Sequence, residues 1–327
     1  MIPLSVLDLV PVREGSGVAE ALHEAGEFAR AAEAAGYRRF WVAEHHATEG
    51  VAGGAVSVVL AHLGHVTSTI RIGAGGIMLP NHNPFVIAEQ FGALDALFPG
   101  RVDLGLGRAP GAAPILAQAL RKDLSRAAEY FPQDVVELRA LLTGDPELPI
   151  RATPGFDAKV ELWMLGSSLF GAQLAARLGL PYAFASHFAP DHLDAALETY
   201  RTQFRPSAAL DKPHAMAAMT VICAGTDEEA ELLASSQDQA FVRLRSGDPG
   251  KLPPPVPGYR ASLPESAQTM LERLSVARAV GSPETVGTKI AAFVERTGAD
   301  EIIVSGATYE PAARRRSLEL TMAALRA

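Results

Sequence analysis

The sequence predicts a closed (β/α)8 barrel with insertions, a TIM barrel. Three observations carry that prediction: eight short runs rich in Val, Ile and Leu recur along the chain, segments of helical period separate them, and no low-complexity linker divides the 327 residues. The runs read as strands are Leu4 to Leu9, Arg39 to Ala43, Ile70 to Ala74, Val102 to Leu106, Glu161 to Leu165, Tyr182 to Ala185, Met216 to Ile222 and Glu301 to Val304. One domain covering residues 1–327 is expected. An open doubly wound sheet would carry a glycine fingerprint after its first strand, whereas here that strand runs into Val10-Pro11-Val12-Arg13-Glu14-Gly15.

Between the first two strands, Leu22, Ala25, Ala29 and Ala32 recur at helical spacing within Val18 to Ala35, and Gly36 stands at the C-terminal stop. Pro84 opens a second such unit carrying Ile87, Phe91, Leu94 and Phe98, which Pro99-Gly100 turns into the next strand. Late in the chain Ser282 caps a helix whose first position is Pro283; Ile290, Phe293 and Val294 form its apolar face and Gly298 closes it. Two segments exceed a minimal barrel: Pro110 to Val160, and Ser246 to Leu263 with Pro253-Pro254-Pro255. Insertions of this kind serve as substrate lids, and 246–263 is expected to be a mobile loop.

A hydrophobic share of 48% supplies a large core, and a formal net charge of −8 argues against nucleic acid or anionic membrane as partner. The single basic run, Arg314-Arg315-Arg316, reads as a solvated helix face. With one cysteine, Cys223, inside the apolar segment Met219 to Ala224, no intrachain disulfide can form and a packed core thiol is expected. The N-terminal residues lack a basic region and an apolar stretch long enough for a signal or membrane segment, so a soluble cytoplasmic protein is expected.

In such a barrel the C-terminal strand ends converge on one mouth, which gathers Asp8, Glu44-His45-His46, Gly75-Gly76, Arg108, Ser167-Ser168 and His187. Within Ile72 to Pro80 a buried strand is expected to stop at the small residues Ala74, Gly75 and Gly76, ahead of a Pro-marked turn, leaving backbone bare for a flat ligand, or alternatively forming a bulge or tight corner. Neighbouring side chains on an extended strand point to opposite sides, so His45 and His46 do not both face the mouth and metal binding is disfavoured. Arg108 places a fork-shaped cation at a strand end, suited to phosphate or carboxylate. Ser167 and Ser168 precede the helical segment Ala172 to Leu178, where free N–H groups favour an anion. Singly, these residues also fit plainer roles, a helix cap and a surface ion pair.

Taken together and in order, the motifs resemble the bacterial luciferase-like flavin monooxygenases. They are Trp41-Val42-Ala43-Glu44-His45-His46, Ile72 through Pro80, Gln90 through Leu94-Asp95 to Pro99-Gly100-Arg101, Gly105-Leu106-Gly107-Arg108, Leu165-Gly166-Ser167-Ser168, and Gly281 through Val286. The resemblance implies a (β/α)8 barrel binding FMN, used as FMNH2 with O2 as co-substrate and delivered by a separate NAD(P)H-dependent reductase. It places a non-proline cis peptide at Gly75–Gly76 beneath the flavin ring, beside Ala74. The phosphate falls to Arg108, Ser167, Ser168 and Gly171, and His45 matches the active-site histidine, a base or hydrogen-bond partner near the reacting ring atoms.

Departures from the luciferase pattern bear on activity: Gly107 stands where light-emitting members carry a reactive cysteine, and Pro110 cannot donate an N–H to phosphate. Light emission is therefore unsupported. The resemblance implies a homodimer formed through Ala55 to Val66 and Pro84 to Leu97. It leads first to a monooxygenase acting on a small organic substrate, an aldehyde or other lipophilic molecule. The alternatives are a deazaflavin-dependent oxidoreductase and a non-catalytic flavin-binding protein.

Overall fold

Apolar runs too short for helices and too buried for surface strands form a parallel ring. The computed structural model describes residues 2–109 and 114–326. Its strands are β1 (Leu4–Asp8), β2 (Arg39–Val42), β3 (Arg71–Met78), β4 (Val102–Gly107), β5 (Glu161–Gly166), β6 (Tyr182–Phe184), β7 (Ala215–Cys223), β8 (Arg278–Gly281) and β9 (Glu301–Ser305). Every pairing between them is parallel, and β1–β2–β3–β4–β5–β6–β7–β9 closes on itself. These eight are the eight runs expected from sequence.

The ninth strand, β8, was not anticipated. β7 is long enough to serve two neighbours: it pairs with β9 as far as Thr220↔Ser305, then carries on past the ring to pair with β8 from Thr220↔Arg278 to Cys223↔Gly281. A four-residue strand is too short to show alternation in sequence.

The helices are α1 (Val18–Ala35), α2 (Val56–Val66), α3 (Pro84–Leu97), α4 (Pro114–Leu120), α5 (Leu124–Thr143), α6 (Leu169–Leu178), α7 (Leu193–Gln203), α8 (Asp227–Arg245), α9 (Tyr259–Ser262), α10 (Glu265–Leu274), α11 (Pro283–Thr297) and α12 (Pro311–Arg326). Their ends obey local chemistry: Gly36 and Gly298 close α1 and α11 in the left-handed region, Asn83 accepts the N–H of Phe85, and Ser282 accepts that of Thr285. Among the described residues no helix is long and apolar enough to cross a membrane.

Helices and strands share one apolar layer, while Leu7, Trp41, Ala43, Trp163, Ala183, Met216, Ala218 and Ile303 pack as a separate cluster inside the ring. Charge closes the N-terminal end. Arg39, opening β2, donates to Asp103 at 2.8 Å and to Glu301 at 3.1 Å, and lies 3.1 Å from Glu161; Arg71 and the Trp41 indole also donate to Asp103. All of these carboxylates stand at the first or second position of their strands, so the polar floor leaves the opposite end for a site.

The basic run on α12 is corrected by the structure. Arg314 is largely buried, its guanidinium 3.9 Å from the Phe28 ring centre and 2.7 Å from Asp8, while Arg315 pairs with Glu27 at 3.0 Å. A buried carboxylate draws in a cation that periodicity alone assigns to solvent. Cys223 is a buried free thiol, as expected.

Candidate active site at the C-terminal mouth

β3 does not stop at its glycines but runs through them to Met78. Ala74 pairs with Leu104 and Ile77 with Leu106, so three steps on β3 match two on β4, a bulge centred on Gly75 and Gly76. The peptide between them is cis. Backbone packing demands glycine at Gly76, where a Cβ would lie 2.7 Å from the Gly105 carbonyl oxygen; at Gly75 a Cβ would lie 2.7 Å from Leu7 Cδ1, the end of a flexible side chain, and 3.0 Å from Trp41 Cβ. Both glycines are partly exposed at the mouth.

Arg108 follows the end of β4 and is exposed; its guanidinium lies 4.1 Å from the ring centre of Phe170 in the first turn of α6. No carboxylate pairs with it among the described residues, which removes the surface ion pair as its role. Ser168 stands at the N-cap of α6 with extended backbone, yet its hydroxyl accepts no N–H of the helix. The first amides of α6 therefore lack the side-chain partner that α3, α8 and α11 possess, and the plain capping role does not hold for Ser168. A Cβ on Gly171 would meet nothing closer than 3.5 Å, so packing does not require glycine there. Arg108 thus meets the first turn of α6 through Phe170, Ser167 and Ser168 precede that turn, Gly171 is buried within it, and Gly76 lies against Gly105 and Leu165.

His45 and Glu44 follow β2. His45 is accessible from the mouth, but the surrounding protein lowers its pKa, Glu44 opposing and His46 assisting. His187, after β6, is held at about 4 by desolvation and then by His45; its Nδ1 is buried without a partner among the described residues. Desolvation thus disfavours the protonated form of both imidazoles, most strongly at the buried His187.

Glu44 is buried. Its Oε2 accepts the Met78 N–H at 2.8 Å, while Oε1 meets His82 Nε2 at 2.7 Å and also His46 Nε2. Desolvation would raise this carboxyl, but the His82 contact and the other hydrogen bonds hold it low. His82, the C-cap of the short turn Leu79–Asn81 after β3, carried no signal of this role in the sequence. The readable signal was alternation, which sets Glu44 and His46 on one side and His45 on the other.

One further mouth residue and the long insertion have other partners. Asp8 is buried, bound to Arg314 and to the Val10 N–H at 2.8 Å. The segment 246–263 lies against the β1–α1 loop, where Leu252 donates to Val12 and accepts from Glu14, both at 2.9 Å, and Gln239 of α8 holds the Pro254 carbonyl.

The family model for luciferase-like monooxygenases matches residues 2–301. A luciferase-like monooxygenase of Escherichia coli (strain K12) is 47% identical over 322 residues, covering 98% of this chain and 96% of the relative. N-acetyl-S-alkylcysteine monooxygenase of Bacillus subtilis (strain 168) is 35% identical over 254 residues, 76% of this chain and 75% of its own. The crystal structure of apo-MsnO8 superposes with a TM-score of 0.89 at 34% identity, covering 100% of this chain and 99% of the other. On sequence and architecture alike, the chain belongs to the luciferase-like monooxygenase family.

Proposed function

We propose that the protein is an FMN-dependent monooxygenase that receives reduced flavin from a separate NAD(P)H-dependent reductase and uses O2 on a small organic substrate. One observation carries this reading: Arg108, the uncapped amides of α6, the bare Gly75–Gly76 backbone and His45 stand at one mouth. These residues fit a flavin nucleotide. The guanidinium and amides match a phosphate dianion. Gly75 and Gly76 present main chain without side chains to the ring, whereas Ala74, expected beside them from sequence, is fully buried in the core.

When bound, reduced flavin supplies the electrons that activate oxygen. Arg108 and α6 fix the phosphate end and so the position of the ring. His45 is the hydrogen-bonding group beside the reacting atoms, and segment 246–263 with α8 limits water at the rim. Related folds support both oxygen and flavin use: one of 19% identity is the oxygenating constituent of 3,6-diketocamphane monooxygenase in complex with FMN. The monooxygenase name of the Bacillus subtilis relative favours oxygen transfer over the hydride transfer of the F420-dependent alcohol dehydrogenase that shares the fold.

The same reading takes the protein to work in the cytoplasm as a homodimer. Val58 on α2 and Val86 and Leu97 on α3 expose apolar surface for pairing.

The test is rapid mixing of the protein, loaded anaerobically with photoreduced FMN, against oxygenated buffer. Flavin reoxidation through a distinct absorbance transient, slower than that of free FMNH2, supports the proposal. Reoxidation indistinguishable from free flavin, together with hydride exchange on a reduced deazaflavin, refutes it.

A further inference from the structure

We propose that Glu44, His46 and His82 form a binding site for a divalent transition-metal ion of the zinc class, directly behind the Gly75–Gly76 segment. The opposite-face argument from sequence holds for His45 and His46, but it leaves His46 beside Glu44, and the fold delivers the third donor. His46 Nε2 and His82 Nε2 both approach Glu44 Oε1, and the three donor atoms lie within 4.8 Å of one another. Two imidazoles and a carboxylate are a donor set suited to zinc, copper, nickel or ferrous iron.

The geometry asks for little movement. Metal–nitrogen bonds of about 2.1 Å in a tetrahedral site set donor atoms roughly 3.4 Å apart, a separation inside the spread already present. The rings come from different loops, with centres 6.4 Å apart and planes inclined at 47°. Each Nε2 lone pair would serve the ion once its proton moves to Nδ1 or to solvent. Glu44 is oriented through Oε2 by the Met78 N–H, the kind of outer hydrogen bond that fixes a ligating carboxylate. His46 and His82 are 20% and 29% exposed, so an ion and a completing water can enter from solvent.

The location gives the site a consequence. Glu44 also reaches the platform through its own N–H, which donates to the Gly76 carbonyl at 3.4 Å. An ion held here clamps the end of β2 and the Leu79–Asn81 turn onto the end of β3.

Metal binding is measured on the flavin-free protein, so its outcome is independent of the cofactor reading. Calorimetric titration with ZnCl2 of chelator-treated protein should show one site. His82→Ala and His46→Ala should each weaken that site at least tenfold. Co2+ substitution should give visible absorption bands that disappear in His82→Ala, while the variant's circular dichroism matches wild type. His45→Ala, whose imidazole lies outside the cluster, should leave Zn2+ affinity unchanged. Wild-type protein that takes up no Zn2+, or uptake equally strong in both cluster variants, would overturn the assignment.

Discussion

The guanidinium of Arg108 lies 4.1 Å from the centre of the Phe170 ring, so the end of β4 and the first turn of α6 act as one surface. Stacking on an aromatic face leaves the guanidinium N–H edge free for another partner. That edge and the uncapped α6 amides are the groups to which the proposed function assigns the phosphate.

Replacing Arg108 by Ala removes a charge-assisted contact and should weaken FMN binding by about 1.5–3 kcal/mol, roughly tenfold to a hundredfold. Fluorescence quenching of FMN by wild type and variant measures this. Equal affinities would dismiss Arg108 from the phosphate role.

His45→Ala should behave differently, keeping flavin affinity within about threefold while losing turnover, because binding a ring and assisting its chemistry are separate tasks. Single-turnover product yield with bound reduced flavin separates the two. A variant with wild-type yield would show that His45 has no part in the reaction.

The distance between what the residues announce and what they hide follows from the range of the contacts. Helix α1 was readable to the residue because Leu22, Ala25, Ala29, Ala32 and Gly36 are local signals, and the eight barrel strands were readable because each carries a buried apolar run. Hidden features depend on distant partners: Arg39 finds Glu301 across 262 positions, Arg314 finds Asp8 across 306, and Glu44 finds His82 across 38. No periodicity encodes such pairs. The β3 bulge was half legible, since the glycines marked an irregularity but not that the strand resumes after it.

Glu33 offers a pH-dependent test of the α1–β3 junction. Partial burial alone would raise its carboxyl, but the N–H groups of Ile70, Thr69 and Ser68 and the Thr69 hydroxyl bring it from 4.5 down to about 2. A depressed folded-state pKa stabilises above the unfolded value, and that stability disappears as pH falls toward the folded value. The stability advantage of wild type over Glu33→Gln, from urea midpoints, should therefore be full above about pH 5 and shrink toward pH 2. A difference independent of pH over that range would contradict the assignment.

Pairing through α2 and α3 predicts sensitivity at two exposed apolar residues, Val58 and Leu97, which are 69% and 65% accessible in the single chain. The double substitution Val58→Asp and Leu97→Asp should halve the mass measured by light scattering without changing circular dichroism. A wild-type protein of monomer mass would refute pairing.

The central claim is that one mouth grips a flavin by its phosphate and seats its ring on glycine backbone. A crystal structure of the protein soaked with FMN tests it most directly. The phosphate should lie within hydrogen-bonding reach of Arg108 and the first amides of α6, with the ring against Gly75 and Gly76 and His45 at its reacting edge. Flavin bound elsewhere on the barrel, or a mouth without flavin density at a saturating FMN concentration, would contradict it.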